Sequence, residues 1–181
     1  MSEQQHDLVT SLESDLRALA AADADLERDA EIAERTRIER STITLRDRLR
    51  GCHGPVEITT FGGSSHAGRV GDVGSDWVLL QHVSPGQHVV TAEHLVLLSA
   101  VLVVRGLGRS MTAHTSRVPE RSARAVLRGW CRDRSEISAL VVDGTVVTGL
   151  ASAAFADHLE VSTGGGATVS VPYPALAVIS R

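Results

Sequence analysis

Arg117, Arg121, Arg124, Arg128 and Arg132 recur at intervals of three and four along one stretch of the chain. That spacing lets Arg117, Arg121, Arg124 and Arg128 share one face of an α-helix. Such a stripe can take phosphate oxygens or the carboxylates of an acidic protein surface. Residues 101–136 hold eight Arg against Glu120, Asp133 and Glu136, whereas residues 1–50 hold twelve Asp and Glu against eight Arg. The acidic series Asp23, Asp25, Glu27, Asp29, Glu31 and Glu34 is one counter-surface for the stripe, and nucleic acid is the other. The net charge of −4 leaves residues 101–136 as the region able to follow a phosphate backbone. An aromatic content of 3% supplies few platforms on which bases could stack.

Other chemistry is thinly represented. His82, His88 and His94 are evenly spaced and Cys52-His53 adds two donors, but no HExxH, Cys pair or carboxylate cluster completes a ligand set. Gly106-Leu107-Gly108-Arg109-Ser110 lacks the Lys and glycine spacing of a phosphate loop and reads as a linker. No nucleophile elbow is present. The expectation is a non-enzymatic protein with no catalytic residue, no cofactor and no metal. Cys52 and Cys131 are isolated thiols, which fits a reducing compartment. The first residues lack a basic segment leading into an apolar one, and no apolar run approaches the roughly 18 residues of a membrane span. A cytoplasmic location without membrane contact is expected.

The elements that would position these groups follow from periodicity. The chain has 181 residues, 43% apolar and 22% charged, enough for one domain or two very small ones. Leu8, Leu12, Leu16, Leu19, Leu26, Ala30 and Ala33 follow helical spacing, with Ile38, Leu45 and Leu49 continuing it past the β-branched run Ser41–Thr44. This predicts an acidic amphipathic arm over residues 1–50, a candidate coiled coil for self-association. After Gly54 the pattern changes to short β-rich runs at Val56–Phe61, Ser65–Val70, Trp77–Val83, His94–Leu97 and Val101–Arg105. A second series occupies Ile137–Val142, Val146–Leu150, His158–Ser162, Val169–Val171 and Leu176–Ile179.

The two series superimpose. An offset of 81 carries Gly63 to Gly144, Gly68 to Gly149 and Asp76 to Asp157; an offset of 75 then carries Val96 to Val171 and Val103-Val104 to Val178-Ile179. Before the second series, Pro119 opens a helix whose apolar face is Ala123, Val126, Leu127 and Trp130. Where the repeats differ, a contact surface is expected. Trp77 and Leu79 stand where the second repeat has His158 and Glu160, and Leu140 and Leu150 stand where the first has Thr59 and Arg69. Trp77, Leu79, Leu140 and Leu150 are therefore candidate interface residues.

A helix followed by five short strands, a glycine inside the second strand and a one-turn link before the fifth resembles the Sm-like family of small β-barrels. Val104-Arg105-Gly106 is similar to the end of that family's second motif. The resemblance implies a mainly β protein with helices: tandem five-stranded small barrels over 51–106 and 136–181, joined by a basic linker and helix over 107–135. At the family's RNA site the match is partial, because the loop after the second strand supplies Asp72 without the following Asn. Two functions are expected from these readings. One is a protein-interaction or scaffold module, self-associating through the amino-terminal helix or binding a protein partner. The other is a nucleic-acid-binding regulator that uses Arg117, Arg121, Arg124, Arg128 and Arg132.

Overall fold

A computed structural model describes residues 28, 31, 32, 34, 35, 37, 41–83, 90–108, 110 and 119–181. It divides into Met1–Ile43 and Thr44–Arg181. In the first unit Arg28, Glu31, Ile32, Glu34, Arg35, Arg37 and Ser41 have helical backbone and are exposed. Glu34 and Arg37 form an ion pair at 3.0 Å. Most of the expected arm falls outside the described residues, and the part of it nearest the sheet is a separate short helix, α1 (Leu45–Arg50). Thr44 starts that helix afresh: its hydroxyl accepts from the Asp47 N–H at 3.2 Å while the Asp47 carboxylate accepts from the Thr44 N–H at 3.0 Å. Those bonds hold the Asp47 carboxyl below its usual pKa. Leu49 is fully buried, so α1 belongs to the sheet rather than to an arm.

Ten antiparallel strands follow, with one further helix between the fifth and sixth: β1 (Pro55–Thr60), β2 (Ser65–Val73), β3 (Trp77–Val83), β4 (Val90–Leu97), β5 (Val101–Arg105), α2 (Ala123–Arg132), β6 (Glu136–Val141), β7 (Val146–Ala154), β8 (His158–Ser162), β9 (Thr168–Pro172) and β10 (Leu176–Ser180). They form one open sheet in the order β5-β1-β2-β3-β4-β10-β6-β7-β8-β9. Two separate closed barrels, a long helical arm and a coiled coil are thus corrected to a single continuous sheet carrying two short described helices. The physical reason lies in β4. Its second edge does not return to β5; it pairs with β10, placing Val96 opposite Val178, Leu95 opposite Ile179 and His94 opposite Ser180. Glu93 and Arg181 extend the seam with reciprocal backbone hydrogen bonds of 3.0 Å and a 2.7 Å contact from Arg181 Nε to the Glu93 carboxylate.

The strand pairing of the first half recurs in the second. Val56 opposes Gly68 and Ile137 opposes Gly149; Val70 opposes Leu80 and Ala151 opposes Val161. Each pairing then skips one residue, Gly71 in β2 and Ser152 in β7, the two-against-one count of a bulge. Leu79 opposes Leu95 as Glu160 opposes Ser170, and Ile58 opposes Val104 as Ala139 opposes Ile179. Single 3₁₀ turns, Leu98–Ala100 and Tyr173–Ala175, lead into β5 and β10. Gly68 and Gly149 are required by close backbone approach, since a Cβ would stand 3.0 Å from Gln81 O in one case and 2.2 Å from Ser162 O in the other. One apolar core runs through both halves, from Val56, Ile58, Leu80 and Leu95 across the seam to Val178, Ile179, Ile137 and Leu159.

Candidate interaction surface

Helix α2 carries the described part of the basic stripe. Its first turn is fixed by Ser122, whose hydroxyl accepts from the Ala125 N–H at 3.4 Å, and by Asp76 of the first half, whose carboxylate accepts from the Ala123 N–H at 2.8 Å. The helix buries Ala123, Leu127 and Trp130, so its Arg residues fall on the remaining faces. They are not equivalent. Arg121, just before the helix, pairs with Asp72 at 2.8 Å. Arg124 is half-buried, its Nε enclosed without a hydrogen-bond partner, and its charge bears on Tyr173. Arg128 and Arg132 are exposed. Arg117 lies outside the described residues. The stripe is therefore divided, with its amino-terminal end committed to the first half of the sheet.

That end borders an open cleft of about 540 Å³ lined by Arg50, Asp72, Trp77, Glu120 and Arg121 among others. Its charges answer one another: Glu120 takes Arg46 at 2.8 Å and Arg50 as well, and Arg50 also reaches Asp47 at 3.3 Å. An arrangement of mutually paired side chains holds α1 to the start of α2 and leaves little unanswered charge for a ligand.

Trp77 is 1% exposed. Its indole N–H donates to the Arg121 carbonyl at 2.8 Å, beside a 3.1 Å bond from the Ser75 N–H to the same oxygen. The segment entering α2 thus lies over the Trp face. Leu79 is half-buried on β3 and Leu140 half-buried on β6, while Leu150 on β7 is exposed. Two strands, β4 and β10, separate β3 from β6, so these four positions do not gather into one patch.

The histidines also separate. His88 lies outside the described residues, and His82 is exposed on β3. His94 meets His66 with ring centroids 5.2 Å apart, and its Nδ1 lies 2.7 Å from the Ser180 hydroxyl across the seam. Burial and the neighbouring rings push both His66 and His94 below the usual histidine pKa. Among the described residues no group of three or more His, Cys, Asp or Glu is placed to hold a metal ion. Cys52 is buried and Cys131 half-buried, both as free thiols, and burial raises the Cys131 pKa. No described helix is long and apolar enough to cross a membrane.

The chain matches no family model, no curated protein and no solved structure. The surface must be read from its own geometry.

The residues missed from sequence are on β5. Leu102 and Val103 are 51% and 43% exposed, whereas their counterparts Ala177 and Val178 on β10 are 0% and 1% exposed. The contrast goes with lateral cover: β10 lies between β4 and β6, while β5 pairs with β1 and, among the described strands, ends the sheet. The signal was present in Val101-Leu102-Val103-Val104, a continuous apolar run of the kind found in strands covered on both sides.

Proposed function

We propose that this chain is a non-enzymatic protein-interaction module whose working surface is the uncovered edge of β5. The observation that carries this reading is the contrast between exposed Leu102 and Val103 and their buried counterparts on β10. An edge strand with unpaired backbone groups and two apolar side chains accepts an extended segment, the backbone supplying affinity and the side chains selectivity. Arg105 is the one charge on the strand, so the edge lacks the charged residues that commonly guard against such pairing. A quantitative pull-down tests it. Wild-type protein is expected to retain a specific protein that Leu102→Lys loses, while Leu150→Lys, on a different strand, retains it. Equal capture by both variants would refute the reading.

The rival reading, a nucleic-acid-binding regulator, retains Arg128 and Arg132, both exposed on α2, beside exposed Arg121, which pairs with Asp72. Titration against RNA and duplex DNA at two salt concentrations separates the two functions. The interaction reading expects no saturable binding. The rival expects binding that weakens steeply with salt and disappears in the triple variant of Arg124, Arg128 and Arg132 to Ala.

A further inference from the structure

We infer that His66 and His94 form a two-histidine site for a divalent first-row transition ion, of which zinc is the representative, on one face of the first half of the sheet. The strand register brings the two rings together. Leu80 opposes Val70 of β2 on one side and His94 of β4 on the other. Directly opposed residues share a face, and so do residues two apart along a strand. His66, Gly68, Val70, Leu80 and His94 therefore share one face, to which Gly68 adds no side chain. The two imidazoles have centroids 5.2 Å apart and planes inclined by 54°. Two imidazoles bound to one ion at about 2.0–2.1 Å in tetrahedral geometry have centroids about 5 Å apart. Phe155 and His158, by contrast, stack at 4.7 Å with planes only 13° apart.

The nitrogens suit a shared ion. His66 Nε2 is enclosed and has no hydrogen-bond partner among the described residues. A buried polar atom left unpaired loses its hydration without return, and a bound ion restores a partner to it. On the other ring, His94 Nδ1 lies 2.7 Å from the Ser180 hydroxyl. With Nδ1–H donating to that oxygen, Nε2 of His94 carries the lone pair, the outer hydrogen bond that orients metal-binding histidines. Burial and the neighbouring histidines hold both rings below the usual pKa, so both are neutral and able to ligate at pH 7. His82 bears on His94 from β3 but is exposed, and among the described residues no third ligand completes a group with the pair. The remaining positions fall to water, and the imidazole donors select zinc, copper or nickel over magnesium or calcium. The backbone does not demand the pair, since the corresponding residues of the second half are Val147 and Val169.

Zinc titration of the full chain by calorimetry, with the imidazole nitrogens followed by NMR, tests the site. Wild type is expected to bind a single zinc ion, with the resonances of His66 and His94 shifted and those of His158 unmoved. His66→Val and His94→Val, the residue types of the second half, are each expected to weaken binding about tenfold or more, while His82→Ala leaves it unchanged. Ser180→Ala is expected to weaken it about tenfold by releasing the His94 ring. Zinc is expected to raise the thermal midpoint of wild type and not that of either valine variant. Shifts absent from either His66 or His94 in wild type overturn the inference, as does single-site binding that persists in both valine variants. The wild-type spectrum gives the answer even where a valine variant fails to fold.

Discussion

In the first half of the sheet Trp77 lies beneath the segment entering α2 and Asp76 holds the first N–H of that helix. In the second half the same two positions are His158, stacked on half-open Phe155 with ring centroids 4.7 Å apart, and Asp157, which bonds to that histidine. The edges differ in the opposite sense: β10 of the second half is covered and β5 of the first is bare. Both contrasts have one origin. Each covered site is occupied by the other half of the same chain, and each uncovered site has no described element beside it. Equivalent backbones have diverged in side chain according to whether covalent connection supplies the partner.

The most severe way to break that comparison is Trp77→Ala. Loss of a fully buried indole and its hydrogen bond is expected to lower stability by about 3–5 kcal/mol in chemical denaturation, while His158→Ala leaves the denaturation midpoint nearly unchanged. Gly149→Ala comes next. Its Cβ would meet Ser162 O at 2.2 Å against 3.0 Å for Gly68→Ala at Gln81 O. A loss of about 1–3 kcal/mol is expected for Gly149→Ala and a smaller one for Gly68→Ala, measured by the same method.

Asp76→Ala sharpens the comparison further. Removing the carboxylate at the Ala123 N–H is expected to cost about 0.5–2 kcal/mol, in the range of lost helix caps. Asp157→Ala, with no helix to release, is expected to leave the thermal midpoint unchanged. The smallest effect is a pH dependence from the two histidines of the first half. His66 and His94 correspond to Val147 and Val169, so the second half has valines where the first has two facing imidazoles. Both histidines have a pKa below 6.5 in the folded chain, so the unfolded chain binds more protons. Their contribution to stability is present above pH 6.5 and lost as pH falls through the folded values. Thermal midpoints at a series of pH values are expected to fall on the acid side, and His66→Val with His94→Val to flatten that limb.

Much of the secondary structure was legible because it rests on local alternation. His158, Leu159, Glu160, Val161 and Ser162 alternate outward and inward, and β8 spans those residues. Trp77–Val83 and Val101–Arg105 likewise coincide with β3 and β5. Ala123, Leu127 and Trp130 are the buried face of α2, as their spacing implied. The sheet order was not legible. Whether β4 turns back to β5 or reaches β10 depends on hydrogen bonds between segments remote in sequence, and both outcomes use the same apolar runs. The Arg series was readable as a helix face, but not its division, because Asp72 of β2 and Tyr173 of the 3₁₀ turn before β10 are remote from it in sequence. The β5 edge was missed for a related reason: an apolar strand looks the same on paper whether or not something lies beside it.

The position of β10 carries one more consequence. It joins β4 to β6, yet it emerges from the ribosome after both of them. The first five strands can gather while synthesis continues, but the span from Val96 to Val178 must be closed before the sheet is whole. Until then the nascent chain displays the bare flank of β4 as well as that of β5, and it is in this interval that mispairing between neighbouring nascent chains has its opportunity.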